Sequence, residues 1–583
     1  MDLQQFYSGE TFDAYQYFGA HLTEEGAVFR TYAPNAQGVA VEGEFTGWRE
    51  VALAPLYRSG VWELTLPGAR EGQMYKYVVY GQNGRAEHCD PYGFGMELRP
   101  GACSILRELS SYTFGDQAWM ESRSRCLDKP LNIYELHLGS WKRRAGGEWY
   151  TYRETAGELI PYLLENGYNY VEFLPLSEHP FDGSWGYQNT GFFAPTSRYG
   201  TPLQLMELVD RLHQAGIGAI LDFVPVHFAV DGYGLAKFDG TPLYEYPSRD
   251  VGESEWGSYN FIHSRREVAC FLQSAAHFWL EEYHFDGLRM DAVSRLLYWQ
   301  GDERRGVNGP AVDFLKRMNR GLHALHPTAM LIAEDSTNYP GVTRPVEEGG
   351  LGFDYKWDLG WMHDTLDQLQ RLPGQRAELR PKFAFSMEYF PNERYLLPLS
   401  HDEVVHGKKT ILDKMPGTYR EKFDQTRALF LYMMAHPGKK LSFMGSELAM
   451  FREWDEQRQM DWELLKMPMH DAFRRFMAAL NKLYLEEPAL WELDYRREGF
   501  SWAEGAGQDP RTLGFYRQGS CSRVLALFNF SNQRKELDLP EAKTCRLLLD
   551  TAWETYGGTE RQEETSLRGS LPPFSGRLYR CGS

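Results

Sequence analysis

Several features that would place the chain in other protein classes are missing from its sequence. No apolar run reaches the roughly 18–20 residues that a membrane-spanning helix needs, so we expect no membrane partner. Residues 1–10 contain neither a basic region nor an apolar stretch, so we expect no signal peptide. No long block of Lys or Arg offsets the net charge of −18, which argues against nucleic acid as a partner.

Cysteine is also scarce and has no pattern. The seven cysteines, at positions 89, 103, 126, 270, 521, 545 and 581, show no metal-ligand spacing. An odd, dispersed set of this kind is typical of reduced thiols in a cytoplasmic protein. We therefore expect free thiols, no structural metal and a cytoplasmic location.

The composition is that of an ordered globular protein, with 43% hydrophobic and 24% charged residues. At 583 residues the chain is too long for one compact core, so two to four domains are expected. Aromatic residues make up 15% of the chain. Flat aromatic rings stack on sugars, but they also fill large cores, so this fraction alone does not decide between the two uses.

The pattern of short apolar runs changes twice along the chain. Residues 28–33, 39–44, 61–66 and 75–80 are strand-like and separated by turn signals, which predicts an N-terminal β-sandwich over residues 1–113. Strand signals return after about residue 495, at 513–517, 523–529 and 544–550, and predict a C-terminal β-domain over residues 496–583.

Between these segments, strands alternate with helices, as in the helical stretches 202–215 and 266–283. The candidate strands are residues 132–137, 170–175, 218–224, 287–291, 330–334, 353–357, 396–400 and 440–444. Eight such runs fit a closed parallel barrel. The predicted fold class is therefore α/β, with a (β/α)8 TIM barrel over residues 114–495 flanked by the two β-domains.

Four of the segments carry acidic groups at the end of an apolar run. Their sequences are LDFVPVH (221–227), GLRMDAVS (287–294), LIAEDS (331–336) and LPLSHDEVVHGK (397–408). A (β/α)8 barrel builds its active site from residues at the C-terminal ends of its strands. Three carboxylates around one pocket, together with two histidines and an arginine, indicate acid/base or covalent chemistry at a glycosidic bond.

Arg289 and Asp291 are two residues apart, which on a strand places both side chains on the same face. A guanidinium beside a carboxylate favours the ionised form that a nucleophile requires, so Asp291 is the candidate nucleophile. The alternative is a buried Arg–Asp pair that only holds the strand in place.

Glu334 follows an apolar strand, and burial favours the protonated form of a carboxyl group. This suits an acid that protonates the leaving oxygen and later acts as the base. Asp335 is the neighbouring alternative, but alternation along the strand turns it away from the side of Glu334. The other interpretation is an acidic pair that caps a helix.

His401 and Asp402 end another strand, where a third carboxylate can hold substrate hydroxyls and favour a distorted sugar ring. A metal site is the competing interpretation, because His401, Asp402, Glu403 and His406 are all possible ligands. The other segments offer no complementary set of ligands.

Asp222 and His227 lie at a strand end and in the loop that follows, where they can bind sugar hydroxyls or simply fix the loop. Residues 178–199 form a long aromatic loop after the second barrel strand. Its Tyr187 can stack on the sugar at the cleavage point. Trp185, together with Phe192 and Phe193, is equally well explained by packing.

These segments resemble the conserved regions of glycoside hydrolase family 13, the α-amylase superfamily, over nearly the whole chain. Within it, EHPFDGSWGYQ, GLRMDAVS, IAEDST, GLGFDYKW, LPLSHDEVVHGK and HPGKKLSFMGSE are similar to bacterial 1,4-α-glucan branching enzymes. The N-terminal APNAQGVAVEGEFTGW resembles a family 48 carbohydrate-binding module.

The resemblance implies a retaining double displacement that forms α-1,6 branches in an α-1,4-glucan such as amylose or glycogen. It assigns Asp291 as nucleophile, Glu334 as acid/base and Asp402 as transition-state stabiliser. The residues that it places around the cleaved bond are Tyr187, Asp222, His227, Arg289 and His401, and Trp185 is added as a substrate-binding candidate. We expect no cofactor and a monomer.

Two positions depart from the family pattern. Val226 stands where many calcium-dependent α-amylases have a metal-binding Asn, so we expect no calcium there. Asp358 stands where branching enzymes often have Asn, which puts a supporting contact in doubt.

Two alternatives stay open. One is a hydrolase of the same superfamily, debranching or trehalose-releasing, and the other is an inactive glucan-binding scaffold. In the N-terminal module, Trp48 and Trp62 are candidates for sugar stacking or for core packing.

Overall fold

The computed structural model of the protein describes residues 2–503, 505–537, 545–562 and 570–582. In the described part of the chain no helix is long and apolar enough to cross a membrane.

The N-terminal segment forms the predicted β-sandwich. One sheet has the order β1-β2-β6-β5 and the other has the order β4-β3-β7-β8, with β9 paired to β7. The strands are β1 (Gly19–Leu22), β2 (Gly26–Tyr32), β3 (Gly38–Gly43), β4 (Val51–Ala52), β5 (Ala54–Pro55), β6 (Val61–Pro67), β7 (Met74–Gly81), β8 (Gly84–His88) and β9 (Ser104–Ile105). The four strands predicted from the sequence correspond to β2, β3, β6 and β7.

The central strands close into an eight-stranded barrel in the order β10-β11-β14-β17-β18-β19-β20-β21. These strands are β10 (Asn132–Leu136), β11 (Tyr170–Phe173), β14 (Gly218–Phe223), β17 (Gly287–Met290), β18 (Met330–Ala333), β19 (Tyr355–Trp357), β20 (Tyr395–Leu399) and β21 (Lys439–Phe443). All eight predicted strands are confirmed within two residues at each end. They are buried along their whole length because a parallel barrel is covered on both faces.

Two short antiparallel strand pairs follow barrel strands. They pair β12 (Ser177–Glu178) with β13 (Gly191–Pro195), and β15 (His227–Phe228) with β16 (Tyr259–Asn260).

Several helices begin at a residue whose side chain caps the first turn, such as Asn308 before Gly309–Leu325 and Thr418 before Tyr419–Ala435. The predicted helices at 202–215 and 266–283 are Pro202–Gln214 and Arg266–Glu281, and the first begins with a capping box at Thr201 and Gln204. The full set is α1 (Leu3–Ser8), α2 (Gln117–Ser122), α3 (Leu138–Trp141), α4 (Tyr152–Asn166), α5 (Pro202–Gln214), α6 (Arg249–Gly252), α7 (Arg266–Glu281), α8 (Ser294–Leu297), α9 (Gly309–Leu325), α10 (Leu359–Gln370), α11 (Leu379–Tyr389), α12 (Ile411–Lys414), α13 (Tyr419–Ala435) and α14 (Pro468–Glu486).

The C-terminal segment is a β-domain with a five-stranded sheet in the order β22-β23-β24-β28-β26. Its strands are β22 (Phe500–Trp502), β23 (Thr512–Gln518), β24 (Arg523–Asn529), β25 (Lys535–Glu536), β26 (Arg546–Asp550), β27 (Ser570–Leu571) and β28 (Ser575–Cys581), with β25 paired to β27. The predicted strand at 544–550 corresponds to β26, and its first residue lies outside the described residues.

The expectation that all cysteines are free thiols is wrong. Cys545 and Cys581 form a disulfide, with their Cα atoms 4.1 Å apart. Cys545 directly precedes β26 and Cys581 ends β28, and these strands pair antiparallel with Arg546 opposite Arg580. Strand pairing therefore brings together two thiols that are 36 residues apart, which the spacing of cysteines in the sequence cannot reveal.

The chain divides into two compact units. The first contains Met1–Ser124, Arg143–Gly157 and Phe173–Phe353, and the second contains Arg125–Lys142, Glu158–Glu172 and Asp354–Ser583. The first unit includes β14, β17 and β18, whereas β10, β19, β20 and β21 belong to the second.

Candidate active site

The first unit places one arginine among three carboxylates. Arg289 lies in β17 with no solvent exposure, directly opposite Asp222 of β14. Its Nη1 donates to Asp222 Oδ2 at 2.5 Å and to Asp291 Oδ1 at 3.1 Å, and its Nη2 donates to Glu334 Oε2 at 2.8 Å. The three carboxylates thus share one guanidinium, which brings together side chains from the ends of three neighbouring strands.

Tyr187 joins this cluster from the loop after β11. Its hydroxyl donates to Asp222 Oδ2 at 2.5 Å and accepts from Arg289 Nη1 at 3.3 Å. The ring is half-buried, which leaves part of it exposed beside the carboxylates. The sequence prediction that Tyr187 lies at the site is consistent with this placement.

Glu334 and Asp291 are the two carboxylates of the cluster that reach solvent. Their side chains are 19% and 14% exposed, whereas that of Asp222 is 1% exposed. The backbone N–H of Ala292 donates to Glu334 Oε2 at 2.9 Å and fixes the carboxylate beside Arg289. These two groups can therefore contact a substrate.

The side chain of Asp335 makes its contacts away from the carboxylates that bind Arg289, as alternation along the strand predicts. It is buried, and its Oδ1 accepts from the backbone N–H and the hydroxyl of Thr337 at 3.0 and 2.8 Å. Asp335 therefore stabilises a turn.

The protonation of Asp291 differs from the sequence-based expectation. Burial raises the pKa of Asp291 well above its usual range, and Arg289 opposes this shift, while Glu334 adds to it by charge and by a hydrogen bond. One guanidinium is shared among three carboxylates, so it offsets the effect of burial on Asp291 only in part. The protonation of Asp291 is therefore coupled to the charge of its neighbour Glu334.

His227 lies in a second cluster of side chains of the first unit, together with Trp256 and Arg295. Its ring is buried and lies 5.3 Å from the ring of Trp256, centroid to centroid. The guanidinium of Arg295 lies 4.4 Å from the centroid of Trp256 and ion-pairs with Glu255. Burial, and next the charge of Arg295, lower the pKa of His227 to about 3, so a neutral imidazole faces the loop.

Trp256 and Arg295 were not predicted from the sequence. Trp256 is 46% exposed although it contacts the buried His227, so its ring forms an aromatic surface at the end of β15. Arg295 lies in α8, four residues after Asp291. No local pattern identifies either residue, because their contacts are made by segments distant in sequence.

Two candidates, His401 and Asp402, lie in the second unit, just after β20. His401 is buried, and its backbone N–H and its Nδ1 contact Glu135 at 2.9 Å and 2.6 Å. Its Nε2 lies 3.6 Å from Asp402 Oδ1, and the Asp402 side chain is 47% exposed.

Glu135 was missed although the sequence carries a signal for it. It lies near the C-terminal end of the apolar strand β10 and has no solvent exposure. This is the pattern by which the other carboxylates were found.

The other aromatic residues of the loop after β11 differ in how deeply they are buried. Phe192 and Phe193 are buried core residues, which confirms the packing interpretation. Trp185 is half-buried and has a positive φ of 56° at the end of a short 3-10 turn. Its role in substrate binding stays a prediction.

The metal alternative at the end of β20 has no support in the geometry. Among the described residues, the one group of three or more side chains that could hold a metal is His277, Glu281 and His326. It does not contain His401, Asp402, Glu403 or His406.

Asp358 serves as a helix cap. Its Oδ1 accepts from the backbone N–H of Trp361 and from the hydroxyl of Tyr389, both at 2.8 Å. Burial raises the pKa of Asp358 to about 6, with these hydrogen bonds opposing the shift. Asp358 therefore supports the start of α10.

In the N-terminal module, Trp48 is 43% exposed, while the indole N–H of Trp62 donates to the carbonyl of Ala33 at 3.0 Å. Trp48 is thus the more accessible of the two rings.

Family models match both flanking domains. Residues 17–93 match carbohydrate-binding module 48 (isoamylase N-terminal domain), and residues 502–582 match the C-terminal all-beta domain of alpha amylase. Among solved structures, the pullulanase of Paenibacillus barengoltzii aligns with a TM-score of 0.76 at 18% identity, covering 100% of this chain and 98% of that one. The pullulanase of Anoxybacillus has the same TM-score at 17% identity, covering 99% and 89%. These likenesses show the fold.

Full-length relatives are much more similar in sequence. The 1,4-alpha-glucan branching enzyme GlgB of Desulfitobacterium hafniense is 44% identical, over 99% of this chain and 95% of that protein. The enzymes of the same name from Geobacillus stearothermophilus and Bacillus subtilis are 42% and 43% identical, over 99% and 96% of this chain and 93% and 91% of theirs.

Proposed function

The chain belongs to the family of 1,4-alpha-glucan branching enzymes, and from this premise we propose how its residues carry out the reaction. The enzyme cleaves an internal α-1,4 glucosidic bond and transfers the released chain to a 6-hydroxyl, which creates an α-1,6 branch. The observation that supports the residue assignment is the pair of partly exposed carboxylates, Asp291 and Glu334, held on the single guanidinium of Arg289.

In the first step, an Asp291 oxygen attacks the anomeric carbon and forms a covalent glycosyl ester. The bond between that carbon and the departing O4 breaks, and Glu334 gives its proton to O4. The productive state of the pair therefore has the proton on Glu334 and an ionised Asp291. Arg289 contacts both carboxylates, at 3.1 Å from Asp291 Oδ1 and 2.8 Å from Glu334 Oε2, so it stabilises the negative charge on whichever of the two is ionised.

In the second step, Glu334 accepts the proton of an acceptor 6-hydroxyl. The new bond forms between the anomeric carbon and O6, and the ester bond to Asp291 breaks. The two inversions give net retention of the α configuration, which requires carboxyl groups about 5–5.5 Å apart. A clearly larger separation in a substrate complex would exclude the covalent route.

The other residues bind and orient the sugar. We assign Asp402 as the stabiliser of the positively charged transition state and His401 as a ligand of sugar hydroxyls beside it. Tyr187 provides a ring surface and a hydroxyl, whereas Asp222 and His227 bind hydroxyls or fix the loops. Trp185 is a further candidate for contact with the chain.

The test is incubation of the purified protein with linear amylose, followed by NMR of α-1,6 anomeric protons alongside a reducing-end assay. New α-1,6 signals with little gain in reducing ends are expected. Rising reducing ends without α-1,6 signals would mean that water is the acceptor, as in a debranching or trehalose-releasing hydrolase. Unchanged amylose would instead indicate a glucan-binding scaffold.

The proposal also covers the oligomeric state, the domain bounds and the location of the protein. We propose a monomeric protein with domains at residues 1–113, 114–495 and 496–583, acting on amylose or glycogen in the cytoplasm. Recovery of the protein from an extracellular fraction, where the Cys545–Cys581 disulfide would persist, would contradict the cytoplasmic location. Cell fractionation and light scattering test location and oligomeric state.

A further inference from the structure

Two buried histidines and a glutamate form a cluster between α7 and the end of α9. His277 lies in α7, and Glu281 ends that helix one turn later on the same face. His326 directly follows α9. His277 Nδ1 lies 2.8 Å from His326 Nε2, and His326 Nδ1 lies 3.9 Å from Glu281 Oε2. One possible ligand atom from each residue lies within 4.8 Å of the other two, so the three side chains can share one small ion. We call them the His–His–Glu cluster.

The two histidine rings of this cluster hydrogen-bond to each other and to nothing else in the described part of the chain. They are 8% and 6% exposed, and no backbone carbonyl or carboxylate orients either ring. The buried ring of His263, by contrast, is held by the carbonyl of Pro225 at 2.8 Å. Burial favours the neutral imidazole, which is the form that binds metals. A metal ion can therefore take the place of the proton between the rings, while the donor ring carries its proton on the other nitrogen.

Glu281 adds a negative charge to the cluster. Its side chain is 55% exposed, and no Lys or Arg of the described chain forms an ion pair with it. The charge of Arg123 also acts on His326, but Arg123 lies 3.9 Å from the carboxylate of Asp286. The cluster therefore lacks a cation that pairs with Glu281, and a bound divalent ion would provide one.

The ligand types select the class of metal. Two imidazoles and one carboxylate suit Zn²⁺ and related transition metals, whereas Mg²⁺ and Ca²⁺ favour oxygen ligands. Zn–N bonds of about 2.0–2.1 Å place two ligand nitrogens of a tetrahedral site about 3.3 Å apart, so the two rings need to separate by only about 0.5 Å. Glu281 can reach the ion by a change of rotamer, because its side chain is exposed.

We propose that His277, Glu281 and His326 bind one divalent transition metal ion of the Zn²⁺ class, with water as the fourth ligand. The helix α7 leads into β17, which carries Arg289, and α9 leads into β18, which Glu334 follows. The ion would thus join two helix-to-strand connections at the ends of the strands that lie opposite the catalytic residues. This face of a TIM barrel serves stability, so the ion is structural and does not contact the substrate.

This proposal replaces the expectation, drawn from the spacing of the cysteines, that the protein has no structural metal. The ligands are histidine and glutamate, and the two histidines are 49 residues apart in the sequence. Two helices bring them together, so no short motif reveals the site.

The test is titration of chelator-treated protein with Zn²⁺ in a calorimeter and with Co²⁺ by visible absorption. One ion per chain should bind, with the intense bands of tetrahedral Co²⁺, and should raise the thermal midpoint. His277→Gln and His326→Gln should each weaken binding at least about 100-fold, because loss of even an outer partner of a metal-bound histidine costs about 10–100-fold. His363→Gln is the matched control, because His363 is exposed in α10 and lies outside the cluster; it should bind like the wild type.

Glu281→Gln keeps the size of an exposed side chain and removes its charge, so it tests the site without disturbing the buried rings. It should weaken binding while branching activity without metal stays at the wild-type level, which shows that the variant is folded and that the result does not depend on the branching reaction. Wild-type affinity in Glu281→Gln would overturn the three-ligand site. Absence of binding by the wild type, or equal affinity in His277→Gln and His326→Gln, would show that the two rings form only a buried hydrogen bond.

Discussion

Arg289 carries the one positive charge in a cluster that contains three carboxylates. Because its two terminal nitrogens are both engaged, a change at any one carboxylate alters the charge balance felt by the other two. The site is therefore a coupled unit, and the effects of single substitutions within it are not additive.

At the two partly exposed carboxylates we predict large losses of activity with the fold retained. Glu334→Gln removes the transferable proton, and loss of general acid–base catalysis costs about 10²–10⁴-fold in rate. Asp291→Asn removes the nucleophile and should cost at least as much. Asp335→Asn is the matched control, because Asp335 stabilises a turn through Thr337. Branching is measured by α-1,6 NMR signals, and substantial residual branching by Asp291→Asn would refute its assignment.

Glu135 holds His401 by two hydrogen bonds, so we describe it as a positioning residue. Glu135→Gln replaces one of the two accepting oxygens by an amide NH₂ group and should lower kcat/KM about 10–100-fold, by analogy with the partners that orient metal-binding histidines. Glu158→Gln, at an exposed ion pair with Lys142, is the control and should leave kcat/KM unchanged. A purely structural role would instead lower the melting temperature without changing kcat/KM of the folded enzyme.

Asp358 gives a pH-dependent prediction for stability. Its pKa is raised to about 6 in the folded protein, so the folded state binds the proton more tightly than the unfolded state does. The stability contribution is therefore fully present below pH 4 and is lost as pH rises from about 4 to 6, at a cost of about 2–3 kcal/mol.

Asp358→Asn removes the buried charge and keeps a carbonyl oxygen as acceptor for Trp361 and Tyr389. We expect the variant to melt higher than the wild type at pH 7.5 and similarly below about pH 4, as measured by differential scanning calorimetry in both conditions. An equal difference at the two pH values would contradict the burial argument.

Among the secondary-structure elements, α13 shows how a local signal defines a boundary. Thr418 and Glu421 form a capping box, in which the backbone N–H of Thr418 donates to Glu421 Oε2 at 2.8 Å and that of Glu421 donates to the Thr418 hydroxyl at 3.4 Å. Each bond satisfies an N–H that has no partner inside the helix.

Thr418→Ala should therefore destabilise the protein by about 1 kcal/mol, seen as a lower thermal midpoint. Glu421→Gln keeps the geometry of the box and should have a much smaller effect. If both variants melt like the wild type, the box contributes nothing measurable to the stability of α13.

For the whole molecule, the Cys545–Cys581 disulfide joins the two strands at the C-terminal edge of the sheet. Closing a loop of 36 residues is expected to stabilise the folded state by about 3–4 kcal/mol in the chain-entropy description. Reductant should thus lower the thermal midpoint of the wild type but leave Cys581→Ser unaffected. Cys521→Ser, which alters an exposed free thiol, should respond to reductant like the wild type. A midpoint that is independent of reductant would show that the C-terminal domain does not depend on the cross-link.

The sequence alone determined the barrel strands and the flanking β-domains. It also placed Asp222, Asp291 and Glu334 at the ends of neighbouring barrel strands. This was possible because strand alternation, apolar runs and acidic residues at strand ends are local features, and a parallel barrel brings every strand end to one face. Asp291, Glu334 and Asp335 could thus be given different roles from alternation and from their places at the strand ends.

Only the tertiary structure decided the features that join distant segments. The sharing of Arg289 by three strands, the contact of Trp256 with His227, the support of His401 by Glu135 and the pairing of Cys545 with Cys581 all depend on packing between segments that are not neighbours in the chain. Protonation belongs to the same class, because the raised pKa of Asp291 comes from burial among carboxylates that only the fold brings together.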